Sequence, residues 1–123
     1  MINVKKKKRV LIAEKDLIIA EDLRLQFKQW GYDEASIINS FESLLCQGFD
    51  NGYDLIVIDE NLHQSDSCLQ VISTLMRKYN AAIVFLSNFI QSAFPDSIMA
   101  EHSFYFVPKP YNKNELKAIA GTA

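Results

Sequence analysis

The chain has 123 residues, 49% of them hydrophobic and 23% charged, with a net charge of -2. That is enough for one domain with a real core and too little for two. The slight negative balance excludes the global positive field that nucleic-acid binding uses, and no apolar run approaches the ~20 residues that span a bilayer.

Neither a nucleic acid nor a membrane is therefore an expected partner. Met1-Ile2-Asn3-Val4 followed by five basic residues lacks the apolar h-region and cleavage site of a secretion signal, so the expected location is cytoplasmic. Lys5-Lys6-Lys7-Lys8-Arg9 reads as a solvated run, giving a basic tail over 1–8 and one domain over 9–123. Cys46 and Cys68 have no close partner and no His at ligand spacing, and read as small buried side chains.

Val10-Leu11-Ile12-Ala13 is a continuous apolar run that ends in Glu14-Lys15-Asp16, the pattern of a strand covered on both faces. From Leu17 to Trp30 the apolar residues Ile19, Ala20, Leu23, Phe27 and Trp30 recur at spacings of three and four, which predicts an amphipathic helix stopped by Gly31. Ser36 to Asn39 is a weaker strand, and Ser40 caps a helix carrying Phe41, Leu44 and Leu45. Leu55-Ile56-Val57-Ile58 is the most apolar strand and runs into Asp59-Glu60-Asn61. A polar loop and a helix over 68–79 lead to a fourth strand, Ala81 to Leu86, which ends at Ser87-Asn88. Pro95 forbids a continuous helix through 89–102 and suits the first position of a short one. Phe104 to Val107 is the fifth strand, followed by Pro108-Lys109-Pro110 and a last helix that Asn112 caps and Gly121 stops after roughly two turns.

Five apolar strands alternating with helical segments form the βα pattern of a doubly wound parallel α/β sheet, with right-handed crossovers placing helices on both faces. Glu14, Lys15 and Asp16 then follow the first strand, Asp59 the third, Ser87 the fourth and Lys109 the fifth, so that all converge on one crevice at the carboxyl edge. Two chemistries are open there. Glu14 and Asp59 could hold a hard divalent cation such as magnesium through carboxylate oxygens, or Asp59 could itself attack a phosphoryl group, with Lys109 and Ser87 stabilising the transferred oxygens. A dinucleotide cradle is excluded, because Glu14-Lys15-Asp16 stands where glycines with free N–H groups would be needed. His63 and His102 read as solvent-facing or locally hydrogen-bonded.

Arg9-Val10-Leu11-Ile12-Ala13-Glu14, Tyr53 to Asp59, Phe85-Leu86-Ser87 and Val107-Pro108-Lys109-Pro110, in that order and spacing, resemble the receiver domain of two-component response regulators over about residues 8 to 120. The resemblance implies a flavodoxin-like sheet of strand order 2-1-3-4-5. It implies that Asp59 accepts a phosphoryl group from a histidine kinase or phosphotransfer protein, that Ser87 and Lys109 contact that group, and that Phe106 is the switch aromatic. It also implies a magnesium site built from Glu14, Asp59 and the backbone carbonyl of Asn61. Such a chain is a signalling domain, capable at most of self-catalysed phosphotransfer and dephosphorylation. With no output domain within the 123 residues, its signal is expected to leave through a downstream protein target unless the chain was trimmed at Ala123, and a homodimer is a further candidate assembly.

The departures from that family are specific. Lys15 stands where a second acidic ligand belongs, His63 replaces a common Pro, Ser67 a common Gly, and Asn88 a small residue. An inward Lys15 ~4 Å from a divalent ion would repel it by about 8 kcal/mol at an effective dielectric of ~20. Magnesium is therefore expected to bind weakly or not at all. A second reading follows: a phosphorylation-independent pseudo-receiver, an interaction module in which Lys15 is salt-bridged to Asp59.

Overall fold

The computed structural model describes residues 7–46, 52–59, 62, 81–86 and 104–122. Five parallel strands, β1 (Arg9–Ala13), β2 (Glu34–Ile38), β3 (Leu55–Asp59), β4 (Ala82–Leu86) and β5 (Phe104–Val107), form one sheet in the order β2-β1-β3-β4-β5. This is the flavodoxin-like doubly wound arrangement. The described helices are α1 (Leu17–Gln29), α2 (Phe41–Cys46) and α3 (Lys113–Thr122).

Continuous apolar strands are explained by burial on both sides. Along β3 all five residues are buried: Leu55 and Val57 face α1 and α3, while Ile56 and Ile58 face the side on which Leu44 of α2 packs. β1 and β4 alternate in the same way, with Val10, Ile12, Val84 and Leu86 on the first side and Leu11, Ala13, Ile83 and Phe85 on the second. β2 lies at the edge and is only half-buried over its first four residues, so its apolar signal is weak. It begins at Glu34, two residues ahead of the expected start, because Arg9 pairs with Glu34 in the β1–β2 register.

α1 buries Ala20, Leu23 and Phe27 against the sheet. It ends as Gly31 predicts: Gly31 has φ 97°, Gly31 N–H donates to Lys28 O and Tyr32 N–H to Phe27 O, the paired bonds of a Schellman turn. The turn folds Tyr32 back so that its ring and that of Trp30 both meet Phe27 edge-on, at 5.2 and 5.1 Å.

Two expectations are corrected. The last helix does not stop before Gly121 but runs through it to Thr122, since one helical Gly costs only about 1 kcal/mol relative to Ala and Leu116 and Ala120 are buried against the sheet. The basic run is not solvated throughout. Lys8 Nζ donates to Ala120 O and lies over the Tyr32 ring; Arg9 Nε pairs with Glu34 Oε2 at 2.6 Å, and its guanidinium lies over the Tyr53 ring. The helix expected over 68–79, the short helix from Pro95, His63, Ser67, Cys68, Asn88 and His102 lie outside the described residues, as does the side chain of Cys46.

Phe27→Ala should lower the urea-unfolding free energy by ~3–5 kcal/mol, the cost of emptying a fully buried aromatic site. Leu25→Ala on the exposed face of the same helix should change it by less than ~0.5 kcal/mol in the same titration.

Candidate functional site: a buried acid pair and a lysine

The strand order reverses between β1 and β3, the place where open α/β sheets leave a crevice at their carboxyl ends. Register pairs Ala13 with Ile58, so the next residues, Glu14 and Asp59, lie side by side at the mouth. Both are buried, with 4% and 2% of their surface exposed. Glu14 is fixed from two sides: its N–H donates to Ile38 O, and its Oε1 accepts from Asp16 N–H at 2.9 Å. Its Oε2 is buried against Asp59, receives no hydrogen bond from a described N–H or lysine, and meets the Asp59 carboxyl through the proton the two acids share.

Lys109 enters from the loop after β5, which carries a cis Lys109–Pro110 peptide, and its Nζ sits 2.7 Å from Asp59 Oδ2. Burial pushes Glu14 up from its ordinary 4.5 to about 7, reinforced by the adjacent Asp59 and opposed by the Asp16 N–H and the Lys109 ammonium. Near neutrality Glu14 therefore carries a proton in much of the population.

Two features of this site were not read from the sequence. Asp16 is the N-cap of α1, accepting from Ile18 and Ile19 N–H; an Asp immediately before the first periodic apolar residue is the signal that could have found it. Tyr111 O–H donates to Asp22 Oδ2 at 3.4 Å, and Lys113 Nζ lies 3.8 Å from the same oxygen, tying the loop that carries Lys109 to α1. Burial and Asp22 push the Tyr111 phenol up to about 12. No sequence pattern predicts that pair.

The expected residues are placed as follows. Glu14, Asp59 and Lys109 meet in one pocket. Phe106 is half-buried and stacks on Phe85 with ring centroids 6.0 Å apart. Asn61 and Ser87 lie outside the described residues. The expected Lys15–Asp59 salt bridge is not formed: Lys15 is exposed and in no ion pair among the described residues, while Asp59 is paired with Lys109. The physical reason is that Asp16 and Glu14 pin the backbone on either side of Lys15, and a flexible ammonium prefers water when another cation already holds the buried acid.

Fold and pocket together define a parallel α/β domain with acids and an ammonium gathered at its topological switch point. The chain belongs to the response regulator receiver domain family, whose model matches residues 10–120. Similar solved structures include the receiver domain of Francisella response regulator 1452, at 22% identity and TM-score 0.76 over 94% of this chain and 95% of that one. A CheY-like receiver domain from Methylobacillus flagellatus gives 22% identity and TM-score 0.73 over 94% and 98% of the two chains. NtrX from Brucella abortus, solved in complex with ATP, gives 18% identity and TM-score 0.71 over 95% of this chain and 26% of that one. No curated protein matches the chain.

Receiver domains generally bind magnesium at the acidic pocket, so the donor set here has to be tested against that ion. A hard divalent cation takes oxygen ligands, preferably charged. Among the described residues no three His, Cys, Asp or Glu side chains form a metal-holding group. Of the two carboxylates, Asp59 is ion-paired to Lys109, and the position beside Glu14 that would supply a further acid is a lysine. The described donors do not fit magnesium.

Because the folded state holds the Glu14 proton to higher pH than the unfolded chain, this acid lowers stability as pH rises from about 4.5 to about 7. Glu14→Gln keeps the acceptor for Asp16 N–H and removes the charge. It should raise the melting temperature by roughly 5 °C or more at pH 8, and leave it nearly unchanged at pH 4, in paired thermal melts.

Proposed function

We propose that this receiver domain accepts a phosphoryl group on Asp59 from a histidine kinase or phosphotransfer protein in the cytoplasm, and signals by changed binding to a downstream protein. The observation that carries this reading is the buried Asp59 carboxylate at the end of the central strand with the Lys109 ammonium 2.7 Å away. An Asp59 oxygen attacks phosphorus, the phosphorus–nitrogen bond of the donor imidazole breaks, and the imidazole leaves with its electron pair; the product is an acyl phosphate. Lys109 stabilises the charge on the transferred oxygens without giving up a proton. Exposed Leu17 and Ile18 at the start of α1 offer a protein donor apolar contact at the rim of the pocket.

Ser87 is the hydroxyl proposed to receive a phosphoryl oxygen, and Phe106 is the aromatic proposed to respond. Its ring is half-buried and stacked on Phe85 of β4, the strand that leads into Ser87. Only ~1–3 kcal/mol of coupling is needed for such a shift to alter a partner's affinity. Magnesium is weak or absent at the pocket, and the domain over 9–123 performs no turnover beyond transfer and loss of its own phosphoryl group.

Incubation with a small phosphodonor should add one phosphoryl group by intact mass, and Asp59→Asn should abolish it. Lys109→Ala should slow labelling by ~10–100-fold while the fold persists. Labelling of Asp59→Asn at the wild-type rate would sink the reading.

A further inference from the structure

We infer that Lys15 supplies the second ammonium for the phosphoryl group, so that acceptance on Asp59 proceeds without a divalent metal; this rests on Asp59 being the acceptor. A phosphoryl group adds about two negative charges at neutral pH and three strong acceptor oxygens. It would enter a pocket where, among the described residues, two buried carboxyl groups meet the Lys109 ammonium. The excess must be neutralised by a cation, and the described donors, with a lysine beside Glu14, do not fit a magnesium ion.

Lys15 is placed to do this. Since Glu14 and Asp59 are neighbours across β1 and β3, Lys15 stands one residue beyond them at the pocket mouth. Its backbone is fixed between Glu14 and the α1 cap, through Asp16 N–H on Glu14 Oε1 and Ile18 and Ile19 N–H on Asp16 Oδ1. Its side chain is exposed and in no ion pair among the described residues, so no existing contact has to break for its four-carbon stem to fold inward.

A second observation points to the same place. Glu14 Oε2 is buried beside Asp59 and no described N–H or lysine donates to it, so in its ionised form it is an acceptor that an incoming ammonium would satisfy on its way to the phosphoryl oxygens. In the resting state Lys109 is paired with Asp59 and Lys15 stays in water. After transfer the two lysines bracket the acyl phosphate. With phosphoramidate as donor, the phosphorus–nitrogen bond breaks as the oxygen–phosphorus bond forms, and ammonia leaves with the electron pair and takes up a proton from water. Both lysines remain protonated throughout, contributing charge and hydrogen bonds only.

The test uses the full chain and phosphoramidate, in excess EDTA or in millimolar magnesium chloride, with labelling followed by intact mass and magnesium binding measured separately by calorimetry. Wild type should label at the same rate in both buffers and give no magnesium heat. Lys15→Ala should label about tenfold or more slowly in EDTA, and Lys15→Arg should restore the rate. Lys15→Asp should bind magnesium and label only with it. Wild-type labelling that EDTA abolishes, millimolar magnesium binding by wild type, or Lys15→Ala labelling at the wild-type rate in EDTA would each overturn the inference while leaving Asp59 as acceptor. Failure of every variant to label in either buffer would overturn the acceptor reading and this inference with it. Lys15 is exposed, and thermal melts of each variant check that the fold is kept.

Discussion

An acid buried at the tip of a central strand requires a compensating charge, and the contact between Asp59 and Lys109 provides it. The two residues come from β3 and from the loop after β5, strands separated by β4 in the sheet, so the ion pair forms only once β3, β4 and β5 have assembled. Conversely, the sheet can afford a charged residue at this depth only because the crevice at its switch point admits the lysine. Glu14, lacking a cation of its own, meets the same desolvation by keeping a proton instead.

Much of this was legible in the residues. Val10–Ala13, Leu55–Ile58 and Ala82–Leu86 are apolar without alternation, and only a strand covered on both faces uses that pattern. Once those strands are parallel, the polar residues at their carboxyl ends must gather, which is why Glu14, Asp59 and Lys109 could be brought together by reading alone. The illegible parts have local causes. β2 is an edge strand whose half-buried residues carry little apolar signal. Gly121 is helical because the packing of Leu116 and Ala120 outweighs a modest propensity cost. The direction of Lys15 depended on whether another cation had already reached Asp59, a tertiary fact that no window of sequence contains.

α1 connects the two sides of the pocket. Its N-cap, Asp16, holds Glu14 through a backbone N–H, and six residues on Asp22 accepts from Tyr111, two residues past Lys109. The helix is itself seated by Phe27, around which Trp30 and Tyr32 pack edge-on. One helix thus sets the relative position of the acid from β1 and the ammonium from the β5 loop, while the Phe85–Phe106 stack ties β4 to β5.

At the opposite edge of the sheet, the carbonyl of Ala120 accepts from both Tyr32 O–H and Lys8 Nζ, a residue 112 positions earlier in the chain. Cohesion there comes from a shared acceptor rather than from continuity of the backbone. Circular permutation, joining the segment around Ala120 to the one around Lys8 and reopening the polypeptide at an exposed turn, would leave every strand beside its present neighbours.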